Sequence, residues 1–182
     1  IRDRVGIGAL LLRRDLDPGR HGLGSGQERG IVSGTPSAAL AAAFAAAWQA
    51  GLDEREASTR HLEALRDQLV AAVGRLEGVR LNGPDEPSQR VPGIVHITIP
   101  GSQADDVLLL LDRAGIDAST GASCRAGMHQ PSDVVLAMTG SPEDARSSLR
   151  FSFGPETTQA ELDRLLAVLP RAIEQARQVA SR

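Results

Sequence analysis

Residues 94–120 read IVHITIPGSQADDVLLLLDRAGIDAST, and this stretch decides how the chain folds. IVHITI alternates β-branched and apolar residues with polar ones over six positions, which is the pattern of a strand. Pro100 and Gly101 stop it. ADDVLLLLDRAG then has acidic residues first, a leucine run, an arginine late and a glycine at the end, the order expected of a short helix. Ser102 and Asp105 are the candidate caps. IDAST resumes as a strand. Strand, helix and strand in close succession predict a small α/β domain. Downstream, Pro131 and Ser132 open a short helix to Met138, and SLRFSFG (148–154) alternates as a half-buried strand. Thr158 with Glu161 forms a capping box before a helix to about Ala180.

Upstream, GPDEPSQRVP (83–92) is linker-like and marks a subdomain edge. Before it, IGALLLR (7–13) is expected to be a buried strand followed by a turn. Residues 21–36, HGLGSGQERGIVSGTP, form a long glycine-rich loop. SAALAAAFAAAWQAG predicts an alanine-rich helix ending at Gly51. Asp53 and Glu56 offer a capping box for a second helix to about Leu76, with Leu62, Leu65, Leu69 and Val73 on its apolar face.

Composition narrows the function classes. The chain has 182 residues, 41% hydrophobic and 24% charged, so it can bury a core as one sizeable domain or two small ones. Aromatics are 2%, which leaves packing to Leu, Val, Ile and Ala. A net charge of −3 supplies no basic field for nucleic acid or an anionic membrane. No apolar run reaches the roughly 20 residues of a membrane helix, and no signal-peptide pattern is read, so a cytoplasmic chain is expected. The single cysteine, Cys124, cannot form an internal disulfide or a thiolate zinc site, which fits a reducing compartment. All 20 basic residues other than histidine are arginine. Chemistry that needs a side-chain amine is therefore outside these residues.

Most free cysteines are small buried hydrophobes. The surroundings of Cys124 argue otherwise, because ASTGASCRAG (118–127) has no large apolar side chain to pack against it. Arg125, and His129 further on, can favour a thiolate, so a reactive thiol is the better reading. A serine hydrolase lacks its G-x-S-x-G signature. A Cys–His enzyme has four candidate bases, His21, His61, His96 and His129, and no spacing selects among them. No metal-ligand spacing occurs; His96, inside an apolar strand, reads as structural. The glycine-rich loop is neither a dinucleotide fingerprint nor a P-loop, but its amides with the Ser33 and Thr35 hydroxyls can cradle an anion. Arg150 alternates with Leu149 and Phe151. A lone strand arginine is usually a solvated face, yet flanked this closely by apolar residues it can project into a pocket and hold a carboxylate bidentately.

GIGALLLRR, GSGQERGIVSGTP, STGASCRAG…QPSDVVLAM and SSLRFSFGPETTQAELD together resemble, in order and spacing, the cysteine desulfurases, pyridoxal-phosphate enzymes of the fold-type I, class V aminotransferase superfamily. The resemblance covers nearly the whole chain and the C-terminal half of such an enzyme. The length of the segment after Cys124 resembles the group that serves iron–sulfur cluster assembly. It implies residues 1–82 as the end of a large domain, with strand 7–13 in the large sheet and helix 52–76 linking the domains, and 83–182 as a small α/β domain bearing the cysteine loop. It also implies pyridoxal 5′-phosphate on a lysine, L-cysteine as substrate, and release of alanine with a persulfide on Cys124 for a sulfur-acceptor scaffold protein. Arg150 would bind the substrate carboxylate. Thr35 would reach the cofactor phosphate of the partner subunit in a homodimer.

Three departures qualify the resemblance. The family's spacing puts its lysine immediately before Ile1; a break at a modified lysine accounts for that boundary better than cleavage or a degenerate fragment. Val32 stands where the family usually has arginine, and Asp133 where histidine is common. The alternative readings are a selenocysteine lyase or another class V aminotransferase, and a non-catalytic sulfur-carrier fragment.

Overall fold

The structure is a computed structural model that describes residues 6–120 and 132–181. The chain divides into two compact units, Ile1–Glu56 and Ala57–Arg182.

The second unit is built on a four-stranded antiparallel sheet: β1 (Arg80–Leu81), β2 (Ile94–Thr98), β3 (Ser119–Thr120) and β4 (Ser148–Ser152), in the order β1-β2-β4-β3. β2 and β3 both run antiparallel to β4, so they are parallel to each other with β4 between them. The chain passes from one to the other through α2 (Ala104–Arg113), a split βαβ unit. Period-2 alternation explains the sheet's two faces. Val95, Ile97, Leu149 and Phe151 point into one core with Leu65, Leu69 and Val73 of α1 (Ala38–Val73), Val107 and Leu111 of α2, and Leu162, Leu165, Leu169 and Ile173 of α5 (Gln159–Ala180). The opposite face bears His96 and Thr98 on β2, Arg150 and Ser148 on β4, and Ser119 on β3. Two short helices, α3 (Asp133–Thr139) and α4 (Pro142–Arg146), precede β4.

Side-chain caps open α3, α4 and α5. Ser132 accepts a hydrogen bond from the Val135 amide and caps α3; Ser141 does the same for α4 through Asp144. Thr158 and Glu161 form the reciprocal capping box that opens α5. Gly93 sits where a Cβ would lie 2.7 Å from the carbonyl oxygen of Phe153, so only glycine lets β2 begin this close to the end of β4.

Four local expectations are corrected. Residues 7–13 form no strand: Leu10 and Leu11 are 73% and 88% exposed. A strand needs a neighbour for its amides, and none of the described residues pairs with this segment. The two helices expected either side of Gly51 are one continuous helix, α1. A helical glycine costs about 1 kcal/mol relative to alanine, too little to break a run of strong helix formers already nucleated. Asp53 accordingly is no cap; its carboxylate accepts from Gln49 Nε2 at 2.8 Å along the same helix. At α2 the N-cap is Gln103, without a side-chain bond, because the Ser102 hydroxyl donates back to the Ile99 carbonyl.

Within the first unit, a 3-10 turn at Glu28–Gly30 folds the glycine-rich segment back, so that the His21 amide donates to the Ile31 carbonyl and His21 bridges Val32. No described helix is long and apolar enough to cross a membrane.

Candidate active site

Arg150 is central to the polar face of the sheet. Antiparallel register sets His96 of β2 directly opposite it on one side and Ser119 of β3 on the other. Directly opposed residues hold their Cβ atoms about 4.5–5.5 Å apart. The Nε of Arg150 is buried and meets no hydrogen-bond partner among the described residues. A buried donor without a partner is costly, and a guanidinium fork in this state suits a carboxylate.

His96 is fixed from behind. The Asn82 amide nitrogen donates to the His96 carbonyl at 2.8 Å, which extends the β1–β2 ladder and aims the Asn82 side chain at the ring. Asn82 Nδ2 lies 2.8 Å from His96 Nδ1. A carboxamide nitrogen can only donate, so Nδ1 accepts and the neutral ring has its proton on Nε2. Asn82 Nδ2 also donates to the Thr98 hydroxyl at 2.9 Å, which donates its own proton to the Ser148 hydroxyl at 3.0 Å; Ser148 in turn donates to the Asp144 carbonyl at 2.6 Å. Burial, and then the positive charge of Arg150, hold the His96 imidazole below its ordinary pKa. The structural role read for His96 from its strand thus acquires a neighbour that strand periodicity does not disclose. Pairing register, the missing information, is not written in a single strand.

Thr35 lies in the first unit and is exposed. Two residues before it, the Ser33 hydroxyl is buried without a partner among the described residues. Gly24, at φ +147°, packs against it so closely that a Cβ would lie 2.7 Å from Ser33 Cβ. The Gly34 amide reaches Gln27 Oε1 at 3.4 Å. An unpaired hydroxyl in a glycine-lined turn is a donor an oxyanion can use. Val32 is exposed, and Asp133 is the first residue of α3, where a carboxylate suits the positive end of the helix.

Cys124, the candidate nucleophile, lies outside the described residues, as do Arg125 and His129. The chain joins Cys124 to Ser119 through five residue steps, about 18 Å when fully extended, so the peptide itself limits the distance between the thiol and the strand beside Arg150. Of the other histidines, His61 is committed to the Thr157 carbonyl through Nε2 at 2.7 Å, and His21 is exposed in the glycine-rich segment. The structure therefore groups Arg150 with His96, Asn82 and Ser119 in one unit, and Thr35 with Ser33 and Gly24 in the other.

This is a mixed helix–sheet fold with a cationic site on its polar sheet face. Residues 5–165 match the aminotransferase class-V family, and the chain belongs to that family. It is 46% identical over 178 residues to an IscS-like cysteine desulfurase of Mycobacterium tuberculosis, covering 96% of this chain and 44% of that protein. To the cysteine desulfurase IscS of Clostridium botulinum it is 33% identical over 175 residues, again covering 96% and 44%. The chain thus spans less than half the length of these relatives. A NifS-like protein from Rickettsia africae has the same fold, with a TM-score of 0.72 at 22% identity over 87% of this chain and 41% of that one.

Proposed function

We propose that this chain is the C-terminal half of a pyridoxal-phosphate-dependent cysteine desulfurase, with residues 1–82 ending the large domain and 83–182 forming the small one. The observation that carries the reading is the buried, partnerless Arg150 Nε on a strand whose neighbour, Ser119, leads to the sole cysteine. The similarity to cysteine desulfurases over 96% of the chain supports it. The residues fit the cofactor: Ser33 and Thr35 would hold its phosphate across a homodimer. When bound, the cofactor supplies an electron sink that weakens the substrate's carbon–sulfur bond.

Arg150 binds the α-carboxylate of L-cysteine and orients the substrate sulfur. The Cys124 thiolate attacks that sulfur. A sulfur–sulfur bond forms as the carbon–sulfur bond breaks, and the electron pair left on carbon takes up a proton to give alanine. Cys124 is left as a persulfide, whose outer sulfur passes to an acceptor protein. A reducing, cytoplasmic setting keeps the thiol competent.

The test uses the full-length protein with L-cysteine and a thiol reductant. Alanine and sulfide should appear in equal amounts, and Cys124→Ser should abolish both while leaving the cofactor bound. Undiminished sulfide release by that variant would overturn the role of Cys124. Turnover of selenocysteine alone would favour a selenocysteine lyase.

A further inference from the structure

The polar network behind Arg150 has a consequence that rests on the carboxylate role just proposed. Arg150 has a long, flexible side chain, and a guanidinium recognises a carboxylate bidentately only when its plane is held. Among the described residues no carboxylate or carbonyl engages its Nε. The side chains facing it across the ladders are His96 and Ser119. His96 is the larger, and its orientation is set by the Asn82 amide at Nδ1, itself braced by Thr98 and Ser148. Thr98 and Ser148 are both fully buried, so the brace is rigid.

We infer that His96, oriented by Asn82, is a positioning residue that packs as a neutral ring against Arg150 and sets its guanidinium for the α-carboxylate of an amino-acid substrate. Two features make the neutral form suitable. Asn82 presents a donor to Nδ1, which leaves no room for a second ring proton there. An uncharged ring also leaves Arg150 as the single positive charge of the pair, so no carboxylate is divided between two cations. An acidic residue at position 96 would instead satisfy Arg150 internally and compete with substrate. The intact site favours a carboxylate over the corresponding amide, and loosening His96 erodes that preference before it touches chemistry at sulfur.

The experiment uses the full-length holoenzyme and two probes without sulfur, L-alanine and L-alaninamide, with dissociation constants from calorimetry. The KM and kcat for L-cysteine are measured beside them. His96→Ala should weaken L-alanine binding about tenfold, with KM for L-cysteine rising in parallel and kcat changing far less. Binding of L-alaninamide should be unaffected. His96→Asn, which restores an acceptor for Asn82, should recover part of the loss, and Asn82→Ala should resemble His96→Ala in kind. Should His96→Ala fail to fold, Asn82→Ala decides on the same criterion. Arg150→Ala separates the two levels. If that variant still prefers L-alanine to its amide, the carboxylate role of Arg150 falls. If Arg150→Ala loses the preference while the His96 and Asn82 variants keep it, the positioning inference alone is overturned.

Discussion

Gln68 of α1 and Gln159 of α5 form a reciprocal amide pair: each Nε2 donates to the other's Oε1, at 3.1 and 2.8 Å. The second proton of each amide is also used, Gln68 donating to the Ala64 carbonyl and Gln159 to the Asp163 carboxylate. Two turns earlier on α1, His61 bonds the Thr157 carbonyl just ahead of α5. Three contacts therefore join the start of α5 to α1 within the second unit. Gln159→Ala and Gln68→Ala should each lower stability by about 0.5–1 kcal/mol. Because both act through one pair, a double-mutant cycle in urea should show a positive coupling. Strict additivity would mean that the pair contributes nothing as a pair.

The first turn of α5 depends on Thr158. Its hydroxyl accepts from the Glu161 amide, and its own amide donates to the Glu161 carboxylate at 2.7 Å. Thr158→Ala should cost about 1 kcal/mol, read as a lower urea midpoint at unchanged slope. The Thr158 amide foremost, and then its hydroxyl donating to the same carboxylate oxygen at 2.9 Å, hold the Glu161 carboxyl below its ordinary range. Its contribution is present above that range and is lost as pH falls through the lowered value. Thr158→Ala deletes the hydroxyl donor and keeps the backbone one, so it should flatten the acid limb of the stability curve only in part, and an identical acid limb would count against the hydroxyl's share.

What was legible in the sequence follows the range of the interaction that decides it. The caps of α3 and α5 depend on residues three apart, and Ser132, Thr158 and Glu161 announce them. The strands β2 and β4 show their alternation directly. The continuity of α1 through Gly51 was not legible as a break or its absence, since one glycine penalises a helix too little to end it. The apolar character of 7–13 predicts a strand, but a strand is a relation between two segments and none of the described residues pairs with this one. Of the site, Arg150 could be singled out by its place between Leu149 and Phe151. Its opposition to His96 could not, because that register joins residues 54 apart in the chain. Cys124 was read from its neighbours and lies outside the described residues.

The lowered pKa of His96 makes a prediction about acid stability. Burial first, and Arg150 second, disfavour the imidazolium in the folded protein. Above about pH 6.5 the ring is neutral in both folded and unfolded chains and contributes no pH dependence. As pH falls below that value the unfolded chain binds a proton that folded His96 does not, so stability declines until the lowered folded pKa is reached. His96→Asn removes this contribution. The difference in unfolding free energy between the two proteins should shift in favour of the variant as pH falls from 7 to 5. A difference independent of pH would show that His96 titrates alike in both states.

Gly24 adopts φ +147°, a backbone conformation that L side chains rarely adopt, and an alanine Cβ there would stand 2.7 Å from Ser33 Cβ. Gly24→Ala must therefore displace the Ser33–Thr35 segment, whatever else it does. Removal of the hydroxyl alone, in Ser33→Ala, leaves the backbone in place and deletes one donor. If this turn holds a cofactor phosphate, both variants of the full-length protein should lose pyridoxal phosphate faster on dialysis than the wild type. Gly24→Ala should lose it fastest, because displacement moves the Gly34 amide and the Thr35 hydroxyl together. Added inorganic phosphate should accelerate loss from the wild type by competing for the same donors and should have less effect on Gly24→Ala. Retention equal to wild type in all variants, including Thr35→Ala, would show that the phosphate is held elsewhere in the assembled protein.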